Sequence, residues 1–169
     1  MKKVIAVLMI VSMLLVSVST VVAAPPGPSI VDVAIEVNEA TGEFSTLIAA
    51  VLAADPAVIN TLSGRGQFTV FAPTDAAFAE LGFDSENIGT LGEDALTQIL
   101  LYHVVRGRRD AESVLDSTRL RTLQRGFLFQ EGGVLTDNLG RESTIVITDV
   151  PAANGIIHAI SEVVLPFAP

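Results

Sequence analysis

The chain has 169 residues, 50% of them hydrophobic and 17% charged, with 10 Lys plus Arg against 19 Asp plus Glu and no cysteine or tryptophan. That apolar share excludes a disordered acidic tail, and the missing cysteine excludes disulfide scaffolds, thiolate metal sites and Cys nucleophiles. A formal charge of −9 makes nucleic acid a poor partner, because phosphate contacts need clustered Lys and Arg, and the length suits one domain.

Lys2-Lys3, an apolar run from Val4 to Val18 broken only by Ser12 and Ser17, and the small-residue ending Val21-Val22-Ala23-Ala24 have the layout of a secretory signal peptide. Cleavage is expected after Ala23, giving a signal over 1–23. The alternative is a retained anchor, since Val4 to Val22 is nearly long enough to span a bilayer. Beyond residue 23 there are eight arginines, no lysine and nineteen acids, a formal charge of −11. The expected product is secreted, to the extracellular or the periplasmic/cell-envelope space, with no membrane span in the mature chain. Residues 24–28, Ala-Pro-Pro-Gly-Pro, read as a stiff linker. Residues 29–166 read as one domain and 167–169 as a tail.

The first part of that domain is helix-rich. Ser29 is placed to cap a helix carrying Ile30, Val33, Ala34 and Val37 at helical spacing. Phe44, Leu47, Ile48, Val51 and Leu52 repeat the period and predict the buried stripe of a second helix. Asp55-Pro56 ends it and starts a short turn of helix with Val58, Ile59 and Leu62. Phe68 to Phe71 is a strand that Pro73 stops, and Thr74-Asp75 opens a helix over Ala76 to Leu81. Another helix is expected from about Glu93 to Leu101. The second part is strand-rich: Tyr102 to Val105, Leu120 to Leu123, Gly126 to Gln130, Thr144 to Thr148, Gly155 to Ile160 and Ser161 to Leu165. Helices first and antiparallel strands after argue for an α+β fold.

Candidates for chemistry are few. His103 and His158 each sit in an apolar run with no third ligand at metal spacing, so core histidines satisfied by backbone groups account for them. Ser63 lies in a loop without a Gly-x-Ser-x-Gly elbow. Asp75 is explained as a helix-start residue. No calcium loop and no phosphate loop is present. These readings give no catalytic residue, no metal and no cofactor. The one basic cluster is Arg106, Arg108 and Arg109, followed by Arg119, Arg121 and Arg125. It suits an anionic partner surface, or internal pairing with the interleaved Asp110, Glu112 and Asp116.

Three segments together resemble the fasciclin domain family. They are Phe68-Thr-Val-Phe-Ala-Pro-Thr-Asp-Ala-Ala-Phe-Ala-Glu-Leu81, Leu101-Tyr-His-Val-Val105 and Asn154-Gly-Ile-Ile-His-Ala-Ile-Ser-Glu-Val-Val-Leu-Pro166. Gly42 to Leu47 also fits the family's early helix entry, and Ser161 stands where the family commonly has Asp. The resemblance implies a wedge-shaped β-sandwich with several packed α-helices. It makes Thr69, Phe71, Pro73, Thr74, Asp75, Phe78, Asn154, Gly155 and His158 structural signature residues. It further implies a secreted or surface-associated adhesion module without catalytic activity. The partners would be extracellular matrix or cell-surface proteins and polysaccharides, with self-association as a further mode. Some relatives bind through short segments near the Tyr-His motif, so an exposed surface around Tyr102, His103, Arg106, Arg108 and Arg109 is one expected interaction site, with Tyr102 and His103 as partly core residues the equal alternative. The alternative is a secreted small-ligand-binding protein or enzyme with a cleft near His103 or His158.

Overall fold

The computed structural model describes residues 27–167, so the expected signal peptide lies outside the described residues. Six α-helices and seven strands follow in the order α1 (Ile30–Thr41), α2 (Ser45–Ala53), α3 (Pro56–Leu62), β1 (Phe68–Pro73), α4 (Asp75–Glu80), α5 (Glu93–Tyr102), β2 (Val104–Arg106), α6 (Ala111–Leu115), β3 (Arg119–Arg121), β4 (Phe127–Glu131), β5 (Val134–Thr136), β6 (Glu142–Ala152) and β7 (Gly155–Ile160). A 3-10 turn at Ile88–Leu91 precedes α5.

Local chemistry sets the helix starts. Ser29 accepts a hydrogen bond from the Asp32 N–H while Asp32 accepts from the Ser29 N–H, a reciprocal cap for α1. Asp55 caps α3 through the Ala57 N–H, with Pro56 in the first turn. Thr74 caps α4 through the Ala77 N–H. Asp110 caps α6 through the Ser113 N–H, and hydrogen bonding to Ser113, from its side chain first and its backbone second, holds the Asp110 carboxyl below the usual range.

The strands form one sheet in the order β2-β1-β7-β6-β5-β4-β3. β1 and β7 are parallel, with Phe71 opposite His158, and the other neighbours are antiparallel. The eleven-residue β6 carries two register breaks between Ile145 and Val150, so it pairs with β5 at one end and with β7 along the rest. Such breaks bend and twist a strand. The sheet folds until its ends meet: Val105 of β2 bridges Thr122, and the Leu123 N–H donates to the Val104 carbonyl at 2.7 Å. The α+β class expected from the sequence is this nearly closed sheet with helices on one side.

Every residue of β1 and β7 is buried. One face of these strands meets the helices, with Val70, Ala72, Ile157 and Ala159 packed with Leu47, Phe78, Leu96 and Leu100. The other face points into the folded sheet, where Phe71 and Ile160 pack with Tyr102, Val114, Leu120, Leu128 and Leu135. Burial on both faces is why these strands read as continuous apolar runs.

Three expectations are corrected. Tyr102 to Val105 is not a strand throughout: Tyr102 ends α5, His103 caps it, and only Val104–Arg106 pairs. Ser161 to Leu165 forms no strand, although the Thr144 N–H donates to Ser161 Oγ at 2.9 Å and keeps the segment against β6. The stripe on α2 also divides. Leu47 joins the core beside Thr46 and Ala50, while Leu52 is 71% exposed. The α6 turn and β5 went unread because five and three residues are too few for a period to show.

Candidate functional site

Tyr102 and His103 are not surface residues. Tyr102 is wholly buried, its hydroxyl donating to the Phe127 carbonyl at 2.6 Å and accepting from the Asn138 N–H at 3.2 Å. Burial pushes its phenol upward. His103 is 3% exposed. Its Nδ1 donates to the Ile99 carbonyl at 2.8 Å, one turn back on α5, which leaves Nε2 as a bare acceptor without a partner. Burial lowers this imidazole to about 4, so the ring is neutral. The expected exposed surface around the Tyr-His pair is therefore core, because the end of α5 turns both rings inward.

His158 is fully buried on β7 and stacks on Phe71, ring centroids 5.7 Å apart and planes 26° from parallel. Its Nδ1 accepts from the Asp149 N–H at 3.2 Å, which leaves Nε2 to donate to the Arg109 carbonyl at 2.9 Å. Thr69 works from the neighbouring strand. Its hydroxyl donates to the Gly107 carbonyl at 2.8 Å and accepts from the Arg109 N–H at 2.9 Å. Two buried side chains thus pin the loop that carries Arg109.

Other signature residues join elements. Asn154 accepts from the Ile30 N–H at 2.8 Å and donates to the carbonyls of Leu62 and Gly64 at 2.6 and 2.9 Å. It ties the start of α1 to the end of α3. A Cβ on Gly155 would lie 2.0 Å from the Phe68 carbonyl oxygen, so only glycine lets β7 approach β1 there. Asp75 does more than its position in the sequence suggests. Its carboxylate accepts from the Ser45 and Thr46 N–H groups at 3.2 and 2.8 Å, capping α2 from thirty residues away.

The six clustered arginines separate into two sets. Arg108 donates to the Ala152 and Gly155 carbonyls, both at 2.8 Å, and is a structural tie. Arg119 lies over the Phe127 ring at 5.1 Å. Arg106, Arg109, Arg121 and Arg125 instead line one depression of about 360 Å³ with Val105, Thr122 and Leu123, at the seam where the sheet's ends meet. Arg141–Asp137 is the one ion pair among the described residues, so Asp110, Glu112 and Asp116 do not pair with the cluster. Of the arginines expected at an interaction surface, the structure brings Arg106 and Arg109 to this depression and takes Arg108 away. It adds Arg121 and Arg125. The alternation Arg119-Leu120-Arg121 marks both arginines as outward-facing, but only the closure of the sheet sets Arg121 beside Arg106.

A second concavity of about 170 Å³ lies between α1, α2, α3 and the sheet, lined by Ala34, Leu47, Ile48, Val51 and Leu62 with the His103 ring. Among the described residues no three His, Asp or Glu side chains stand together as a metal site.

The Fasciclin domain family model matches residues 42–166. The chain is 40% identical over 135 residues to Protein sll1483 of Synechocystis sp., covering 78% of this chain and 72% of that protein. It is 37% identical over 128 residues to the Cell surface glycolipoprotein MPB83 of Mycobacterium bovis, covering 73% of this chain and 56% of that one. Among solved structures, the fasciclin domain pair of the insect cell adhesion molecule Fasciclin I superposes with a TM-score of 0.53 at 24% identity, over 68% of this chain and 42% of that chain.

Proposed function

From a chain that belongs to the fasciclin domain family, we propose a secreted or surface-associated adhesion module that binds extracellular partners without catalysis. One observation carries the reading: four arginines share a surface depression and make no ion pair in a chain with nineteen acids. Folding alone gives no reason to keep like charges together. Tyr102 belongs to the core inside the folded sheet, and His103 lines the helix-side concavity. The names of two relatives, a cell surface glycolipoprotein and a cell adhesion molecule, agree with display outside the cell. No single helix among the described residues is long and apolar enough to cross a membrane. The test is binding of the purified protein to the host's own envelope and to a panel of matrix and polysaccharide surfaces, at low and high salt. Saturable binding that weakens with salt is expected. No binding to any surface overturns the proposal.

The concavity beside His103 favours a second reading, carriage of a small apolar ligand. Ile48, Val51 and Leu52, which the core does not use fully, line it. Addition of a medium-chain fatty alcohol should then raise the melting temperature in a concentration-dependent way. A flat response across chain lengths removes this reading.

A further inference from the structure

The arginine depression has the features of a ligand site, beyond those of a charged patch. We infer that it binds a multiply charged sugar unit, a sulfated or phosphorylated residue of an extracellular polysaccharide; this deepens the adhesion proposal and rests on it.

The first argument is charge. Arg106, Arg109, Arg121 and Arg125 all line one concavity, and none makes an ion pair with a described residue. Of the three carboxylates interleaved with them in sequence, Asp110 is committed to the cap of α6, and neither Glu112 nor Asp116 forms an ion pair. A single carboxylate balances one of the four charges, whereas sulfate or phosphate esters on one sugar balance several and accept two parallel N–H bonds from each guanidinium.

The second argument is the fixed placement of Arg109. Arg109 Nε is buried and has no hydrogen-bond partner, while its terminal nitrogen reaches Ser117 Oγ at 3.4 Å. The backbone beneath it is fixed at both ends, by Thr69 at the N–H and by His158 at the carbonyl. The side chain is thus pre-positioned, which reduces the ordering cost of binding.

The third argument is backbone. Arg125 has φ 80°, a left-handed conformation that favours glycine, in the turn where its N–H donates to the Thr122 carbonyl at 3.0 Å. An arginine that lines the depression occupies a position where glycine relieves the strain. Leu123 gives the wall apolar surface, above the buried Val105 and Thr122. A sugar presents an apolar ring face between polar edges, and the volume falls within the usual range of small-ligand sites. A bare ion would leave the Leu123 surface unused. An extended nucleic acid needs a track of basic groups, and here they converge on one place.

The experiment is fluorescence anisotropy of the purified full chain with four labelled probes: a sulfated hexasaccharide, a phosphorylated hexasaccharide, an uncharged hexasaccharide and a single-stranded oligonucleotide. Saturable binding of the sulfated or the phosphorylated probe, with none for the uncharged one, is expected; the tighter of the two names the ester. Arg109→Gln and Arg121→Gln should each weaken it about tenfold. Arg125→Gly should also weaken it while keeping or raising the melting temperature, so loss of binding is separated from loss of fold. Arg119→Gln, outside the depression, should stay within about twofold of the parent, the scale of a rim charge. The inference is overturned by equal binding of the uncharged probe, by tighter binding of the oligonucleotide, by equal losses in Arg119→Gln and Arg121→Gln, or by no binding at all. The envelope assay runs in parallel. Envelope binding unchanged in Arg109→Gln and Arg121→Gln sinks the sugar site and leaves adhesion standing. Probe binding without envelope binding does the reverse.

Discussion

His103 shows what burial does to one residue. Its apolar run suggested a core histidine, and the structure adds that only Nδ1 is satisfied, by the Ile99 carbonyl. The folded protein holds this ring neutral down to about 4, against 6.5 for the free group. Between those values the unfolded chain binds a proton that the folded chain refuses. Stability therefore falls as pH drops from 6.5 towards 4, by on the order of 3 kcal/mol from this group. Urea midpoints measured across that window should decline, and His103→Leu should flatten the slope. An unchanged slope in the variant would place the proton uptake elsewhere. His158 had the same sequence context and a different outcome, since both of its nitrogens are used. The partner of His103 lies one turn back on its own helix, whereas those of His158 come from Asp149 and Arg109, nine and forty-nine residues away.

Between elements, short-range signals worked and long-range ones were invisible. Ser29, Asp55 and Thr74 each cap the helix that follows directly, and each was readable from position. Phe44, at the start of α2, supplies no side-chain cap. Asp75 does so from α4, meeting the Ser45 and Thr46 N–H groups and placing a negative charge at a helix start. Asp75→Ala should cost about 1–2 kcal/mol in chemical denaturation, the size of a lost N-cap. Asp75→Asn keeps an acceptor and should recover part of it. If both variants match the parent, the cap does not stabilise α2. Asn154 follows the same logic across α1, α3 and β7. Its place in a signature segment was legible, and its three partners were not, because Ile30 lies 124 residues away.

At the scale of the molecule, charge divides unevenly. The full chain carries −9, and six of its eight arginines fall between residues 106 and 125. Added salt screens both the general repulsion and the local attraction for an anionic partner. Stability and binding should then respond with opposite signs. The melting temperature should rise with sodium chloride, by about 2–4 °C for each kcal/mol of relieved repulsion, while binding to sulfated or phosphorylated surfaces weakens. Scanning calorimetry and the surface assay on one salt series check this. A melting temperature that falls with salt would mean that attractive pairs dominate the folded state.

Hydrophobic period, turn residues and caps, which act over a few positions, were enough for the α+β class, for helices preceding strands and for the buried runs Phe68–Phe71 and Gly155–Ile160. They also marked the arginine-rich stretch as the one basic region. Closure of the sheet decided the rest. It brought Arg121 and Arg125 beside Arg106 and Arg109, while the end of α5 turned Tyr102 inward and the pairing of β1 with β7 set Arg108 near the carbonyls of Ala152 and Gly155. Those outcomes depend on which distant backbone groups and charges share a volume, and spacing along the chain carries no measure of that.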